Sequence, residues 1–379
     1  MTSKPDHLER TATEPRDKSL NTVVLQHIEE VNSTTRIFRL GIPRGSPPIR
    51  FLPGQWLDVY VPGVEKAGGF TITSAPREAR KPHPALVGLE SESASKSENQ
   101  TSSRDKDDNN DDRNNKAQVQ GPYLELAVQK SPDNAPAAWL WRDPPTSLLG
   151  AELGVRVGGS FVWPPPGINV RALRRVVFVA GGVGVNPLMS MLSSLASPSP
   201  FPSSSSSSSS PYALGGGDFE VHFLYSLRDP GAGGRQRREA RKMLFLDRIA
   251  RIFREDRVKG RLEVFLTGTG NSAVADAQQA GEGAEGDAAD EDGANANVNV
   301  NVIACGEDEE DPPIPFHARR CTVEDDVIKA VGGTPAERRF AVVYVCGVPT
   351  MTDEFVARLT DRRHGLGMEP HRVLCEKWW

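Results

Sequence analysis

The chain carries few features that would place it quickly. Its four cysteines, Cys305, Cys321, Cys346 and Cys375, form no C-x-x-C pair, and its seven histidines form no H-x-x-x-H pair. Those gaps exclude the usual zinc and iron–sulfur patterns and a disulfide framework, so no metal site is expected and the cysteines suit a reducing compartment. Basic residues do not dominate. The net charge is −5, which argues against a nucleic-acid surface. No apolar run approaches the roughly 20 residues that cross a bilayer, so no membrane span is expected. Hydrophobic content is 37%, below the globular norm of roughly 45–50%.

That shortfall is concentrated in three segments. Glu90 to Gln120 is Ser, Asn, Asp and Lys. Ser197 to Gly217 is built on a serine run closed by Gly215-Gly216-Gly217. Thr269 to Pro315 is Ala, Gly, Asp, Glu and Asn, with Asn and Val nearly alternating from Asn295 to Asn301. None buries enough apolar surface to offset the entropy of ordering, so all three are expected to be disordered insertions in surface loops. Met1 to Leu20 has no apolar stretch and mixes Asp6, Glu9, Glu14 and Asp17 with its basic residues. It is expected to be a disordered tail over 1–19, not a signal or transit peptide.

Two patterns remain once those segments are set aside. From 20 to 170 short alternating runs are punctuated by Pro, Gly and Asp, among them Gln55 to Val61 and Tyr123 to Val128. This predicts a small antiparallel β-barrel interrupted by the insertion at 90–120. From 171 to 379 strand patterns alternate with helical ones. Val176 to Ala180, Phe219 to Tyr225, Arg261 to Leu266 and Phe340 to Val345 are the strands, and Met243, Leu246, Ile249 and Phe253 recur at helical spacing. The expectation is an α/β domain with a parallel sheet, interrupted at 197–217 and 269–315.

Two turns in that second half carry the chemistry. Val176 to Ala180 runs into Gly181, Gly182 and Gly184, and Pro187 follows where a helix can open. A strand that ends in a Gly-rich turn before a helix brings bare backbone N–H groups to a phosphate. The turn lacks the last glycine of G-x-G-x-x-G, since Pro187 stands there. Cys346-Gly347-Val348-Pro349-Thr350-Met351 is the second strand-to-turn junction, with Pro349 placed to start a helix. Ligands on such sheets bind beyond the carboxyl ends of the strands, where both turns would lie.

Gly181-Gly-Val-Gly-Val-Asn-Pro187 resembles the G-G-x-G-x-x-P motif of the ferredoxin–NADP reductase-like superfamily, and Cys346 to Met351 resembles its C-G-P-P-x-M motif. The ending Glu376-Lys-Trp-Trp379 is similar to the Glu-x-aromatic ending of many members. Within the superfamily it resembles the group of oxidoreductase NAD-binding domain-containing proteins. The resemblance implies an N-terminal six-stranded FAD-type barrel, a C-terminal NAD(P)-binding domain, and hydride transfer from NAD(P)H to FAD and on to an unidentified acceptor.

By the same resemblance Gly181, Gly182, Val183, Gly184 and Pro187 would hold the NAD(P) pyrophosphate. Cys346 and Glu376 would line the nicotinamide pocket, and Gly347, Pro349 and Met351 would also bind the cofactor. Phe70, Thr71, Ile72, Thr73 and Ser74 lie where the family has R-x-Y-[ST]-x-x-S. Phe70 would cover one flavin face and Trp378 the other, and Thr71 would offer its hydroxyl near the reactive flavin nitrogen. Thr71, Cys346 and Glu376 are the candidate catalytic residues. Arg228, Arg235, Arg237 and Arg238 either meet a 2′-phosphate or form a solvated segment, so NAD and NADP both stay open.

The family's arginine is replaced by Gly68, and its second flavin motif, Gly-x-x-[ST], has no counterpart near Asp133 to Trp139. Lys130, Arg142 and free backbone N–H groups are candidate substitutes, Gly68 and Gly69 letting the backbone approach closely. An arginine–pyrophosphate pair is worth roughly 1.5–3 kcal/mol, so FAD is expected to be held loosely. Three functions follow: a flavin-dependent oxidoreductase, an NAD(P)-binding module or sensor without flavin, and a reductase of free flavin. The chain is expected to be a monomer in the cytosol or, by the resemblance, in mitochondria.

Overall fold

A computed structural model describes residues 6–80, 121–197, 218–230, 238–268, 301–305 and 311–377. The chain divides into two compact units. One holds residues up to Glu30 together with Arg36–Ser160, and the other holds Val31–Thr35 with Phe161–Trp379.

The first unit is a barrel. Its strands are β1 (Asn21–Asn32), β2 (Thr35–Gly41), β3 (Trp56–Tyr60), β4 (Gly68–Thr71), β5 (Tyr123–Gln129) and β6 (Glu152–Gly158), in the order β4-β3-β6-β1-β2-β5. Pairing is antiparallel, with Leu57 opposite Phe70 and Val59 opposite Val155. Just past β4, Ile72 bridges Leu126 and the Thr73 N–H donates to the Glu125 carbonyl at 2.8 Å, so the two edge strands meet and the sheet closes. Alternation fills the interior: Val23 and Leu25 from β1 and Leu153 and Val155 from β6 point into one apolar core. A short helix, α2 (Ala135–Leu140), follows β5.

The N-terminal segment corrects the expected disordered tail. Residues 6–19 are ordered, beginning with α1 (His7–Arg10), whose start is closed by a capping box between Asp6 and Glu9. The segment is fixed by Asp58 of β3, whose side chain is fully buried. His7 Nε2 lies 2.8 Å from Asp58 Oδ1. Arg16 Nε at 3.1 Å and Arg156 Nη2 at 2.6 Å donate to Oδ2. Arg16 also stacks over Trp56 at 4.9 Å. Burial alone would raise the Asp58 carboxyl. Hydrogen bonds from His7 and Arg156 and the charge of Arg16 outweigh it and hold the group below its usual range.

The second unit starts at Phe161, earlier than the expected 171. Phe161 packs edge-on against Tyr344, whose hydroxyl donates to the Val162 carbonyl at 2.9 Å. Seven strands build its sheet: β7 (Arg175–Gly181), β8 (Glu220–Arg228), β9 (Gly260–Thr267), β10 (Val302–Ile303), β11 (Ile314–His317), β12 (Ala341–Gly347) and β13 (Val373–Lys377). The order is β10-β11-β9-β8-β7-β12-β13, parallel throughout except between β10 and β11. Helices α3 (Val185–Leu195), α4 (Leu246–Arg254) and α5 (Pro349–Thr360) follow β7, β8 and β12. The short strands β10 and β11 correct part of the expected insertion at 269–315. Ile303 and Ile314 are buried, and that apolar pair orders the end of a polar segment. The insertion at 90–120 and most of the other two lie outside the described residues.

Candidate functional site

From β7 the chain runs outward through β8 to β9, then returns to the other side of β7 as β12. The strand order therefore reverses between β7 and β12, and this switch point is where open α/β sheets bind ligands. Both Gly-containing turns sit there. Ala180 is registered against Cys346, and Cys346 against Glu376, so the ends of β7, β12 and β13 form one edge.

The glycines are required by how closely the two turns approach. A Cβ on Gly184 would lie 2.2 Å from the Cys346 carbonyl oxygen and 2.7 Å from the Gly347 nitrogen, both backbone atoms. A Cβ on Gly181 would lie 2.5 Å from Met351 Sδ. Gly182 adopts φ of +54°, a left-handed conformation, and is exposed with open space beside it. Gly182–Gly184 form a single tight turn into α3, whose start has no side-chain cap, and Pro187 lies in its first turn. The exposed Gly182 and the positive end of an 11-residue helix without a side-chain cap thus lie at the switch point, a cradle that fits a pyrophosphate.

The second turn opens α5 with Pro349, again without a side-chain cap. Lys377 Nζ lies 2.6 Å from Asp353 Oδ1 and ties β13 to this helix. The Cys346 side chain is fully buried, so it forms the floor of the edge. Thr352, also buried in the first turn of α5, has a hydroxyl with no partner; no motif pointed to it. Burial pushes the Cys375 thiol on β13 up from its usual value.

Arg228 ends β8 and is exposed. The strand runs three residues beyond Tyr225, so the first residue past it is an acid, Asp229, which the apolar pattern did not reveal. Asp229 is buried, and Arg238 donates to its Oδ2 through Nε at 2.9 Å and Nη2 at 2.8 Å. Arg235, Arg237 and Trp378 lie outside the described residues.

In the barrel, Phe70 to Ser74 separate into different roles. Ile72 is fully buried core. The Thr73 hydroxyl donates to Glu125 Oε1 at 3.0 Å, and the Ser74 hydroxyl accepts from the Glu125 N–H at 3.1 Å. These three residues close the barrel. The Thr71 hydroxyl is different: the residue is 1% exposed and its oxygen has no partner. A buried hydroxyl without a partner costs about 1–3 kcal/mol, which a ligand acceptor would recover. Thr71 therefore fits the ring of a flavin.

Among the described residues, nothing at Gly68 fits the diphosphate end. No cation stands at Gly68, and a Cβ there would lie 2.5 Å from Phe70 Cε2 and 2.8 Å from Pro136 Cβ. Phe70, expected to present a face, is 8% exposed and belongs to the barrel core. The candidate substitute cations rest on indole rings, Lys130 over Trp141 at 5.4 Å and Arg142 over Trp139 at 5.7 Å. Among the described residues no cluster of three His, Cys, Asp or Glu could hold a metal, and no helix is long and apolar enough to cross a membrane.

No family model matches the chain. It is 26% identical over 377 residues to oxidoreductase NAD-binding domain-containing protein 1 of Bos taurus, covering 99% of this chain and 86% of that protein. The Homo sapiens protein of that name is 31% identical over 193 residues, 51% of this chain. That match spans about half of the human protein, 47% of its length. Among solved structures, flavohemoglobin from Malassezia yamatoensis with bound FAD and heme has a TM-score of 0.53 at 10% identity, covering 98% of this chain and 63% of that one. A ferredoxin NADP+ reductase from Neisseria gonorrhoeae with bound FAD and NADP has a TM-score of 0.50 at 12% identity, covering 96% of this chain and 100% of that one. The fold is that of the ferredoxin–NADP reductase-like superfamily, as the motifs led us to expect.

Proposed function

We propose that this chain, an oxidoreductase relative with the ferredoxin–NADP reductase-like fold, oxidises NAD(P)H and passes its hydride to a flavin, with an acceptor downstream. The observation that carries the reading is the backbone-to-backbone approach of Gly184 and Cys346 at the switch point. It leaves an uncapped helix start for the dinucleotide pyrophosphate. Glu376, registered with Cys346, borders the nicotinamide end. The Thr71 hydroxyl, buried without a partner, would offer a hydrogen bond to the ring of a bound flavin. A bound flavin supplies the two-electron acceptor; the chain binds, orients and shields.

Support also comes from the relatives, whose printed name is that of an NAD-binding oxidoreductase, and from neighbours of the same fold with bound FAD. The test is turnover. With NADH or NADPH, added flavin and an artificial acceptor, the purified chain should oxidise the nucleotide. No oxidation with any flavin would remove the reading. A second reading, an NAD(P)-binding module without flavin chemistry, is favoured by Gly68 and by the missing Gly-x-x-[ST] motif. It requires nucleotide binding by calorimetry with no hydride transfer.

A further inference from the structure

We propose that the chain recognises flavin by its ring and not by a diphosphate, so that riboflavin, FMN and FAD bind with similar affinity. This rests on the flavin reading above. Four observations within the barrel unit carry it. Gly68 has no side chain, and the space a side chain would enter is already filled: its Cβ would meet Phe70 Cε2 at 2.5 Å, Phe70 Cζ at 2.8 Å and Pro136 Cβ at 2.8 Å. Those are carbon atoms, so among the described residues the nearest neighbours of that position are apolar.

The start of α2 is also depleted of donors. Pro136 has no N–H, and Asn134 Oδ1 takes the Ala137 N–H at 3.2 Å. Cations of the barrel unit lie over indoles. Arg36 stacks over Trp141 at 4.3 Å and pairs with Asp143 at 2.9 Å, while Lys130 and Arg142 rest on Trp141 and Trp139. The ring end, in contrast, keeps a buried hydroxyl with no partner, Thr71 Oγ1. Burial makes that donor costly to leave unused, so it is the polar contact a ligand gains.

The consequence is a selectivity pattern. A charge-assisted contact to phosphate would favour FAD over riboflavin by about tenfold to a hundredfold. Without one, the three flavins should agree within less than about tenfold. The experiment uses the full chain freed of any flavin, with riboflavin, FMN and FAD titrated separately and read by quenching of flavin fluorescence. Affinities within that range support the inference. FAD tighter than riboflavin by about tenfold or more overturns it and leaves the reductase reading standing. Binding of none of the three overturns both.

Two variants sharpen the result. Thr71→Val should weaken all three flavins alike, by roughly threefold to tenfold. A loss confined to FAD would contradict the ring-based account. Gly68→Arg should leave FAD affinity unchanged and lower the melting temperature, because the arginine must displace Phe70. If it instead tightens FAD by about tenfold or more, the space is available and the inference fails.

Discussion

Glycine stands at critical points of both the switch-point turns and the barrel strand β4, and it does opposite work in the two places. At Gly184 the neighbour is the backbone of Cys346, so a side chain is excluded and the two turns close up at a helix start that carries no side-chain cap. At Gly68 the nearest neighbours among the described residues are the Phe70 ring and Pro136, so a side chain is excluded by apolar atoms. In the proposed reading the same residue type serves an anion site in one region and withholds a cation from one in the other. What decides is whether the atoms packed against it are backbone or apolar side chain.

The largest effect should come from Gly184→Ala. The new Cβ meets a carbonyl that cannot rotate away, so about 3 kcal/mol of stability should be lost, along with most NAD(P)H binding. Thermal unfolding and calorimetry would measure both. A variant that binds NAD(P)H normally would break the contrast at its stronger end. Asp58→Asn comes next. It leaves Arg16, Arg156 and His7 facing a neutral group, which should cost about 2 kcal/mol, moderated because the arginines keep some access to water.

That substitution also has a pH signature. The Asp58 carboxyl is held below its usual range, so its stabilising contribution is complete above the unfolded value near about 4 and is lost as pH falls through the lower folded value. Acid denaturation curves of the wild type and Asp58→Asn should therefore converge on acidification. Curves that stay parallel would show the network contributes nothing.

Gly181→Ala should be milder than Gly184→Ala, costing less than about 1 kcal/mol, because its Cβ meets the end of the flexible Met351 side chain. Equal losses at 181 and 184 would remove the distinction between backbone and side-chain neighbours. The smallest stability change belongs to Thr71→Val. It removes an unpartnered buried hydroxyl, so unfolding should be unaffected or slightly delayed while flavin binding weakens.

Much of this was legible in the sequence because its signals are local. Alternation marked the barrel strands, and the two turns lie directly after their strands. Features set by distant partners were not legible. The segment 6–19 looked unable to order, yet Asp58 and Trp56, far along the chain, hold it. Phe161 and Trp163 gave no sign of packing on Tyr344, so the division between units was placed too late. The helical spacing from Met243 to Phe253 overran its element: α4 begins at Leu246 after a left-handed turn at Phe245, φ +58°. At the site, motif order located Gly181 and Cys346. The unpartnered hydroxyls of Thr71 and Thr352, and the filling of space beside Gly68, depend on packing that no short motif encodes.

The most direct measurement is the blue absorption band of flavin mixed anaerobically with the purified chain, followed as NADH or NADPH is added. Hydride transfer from a nucleotide held at the Gly181 turn should bleach the band rapidly, and Gly184→Ala should slow the bleaching sharply. A band that persists with both nucleotides, while flavin is bound, would contradict the account.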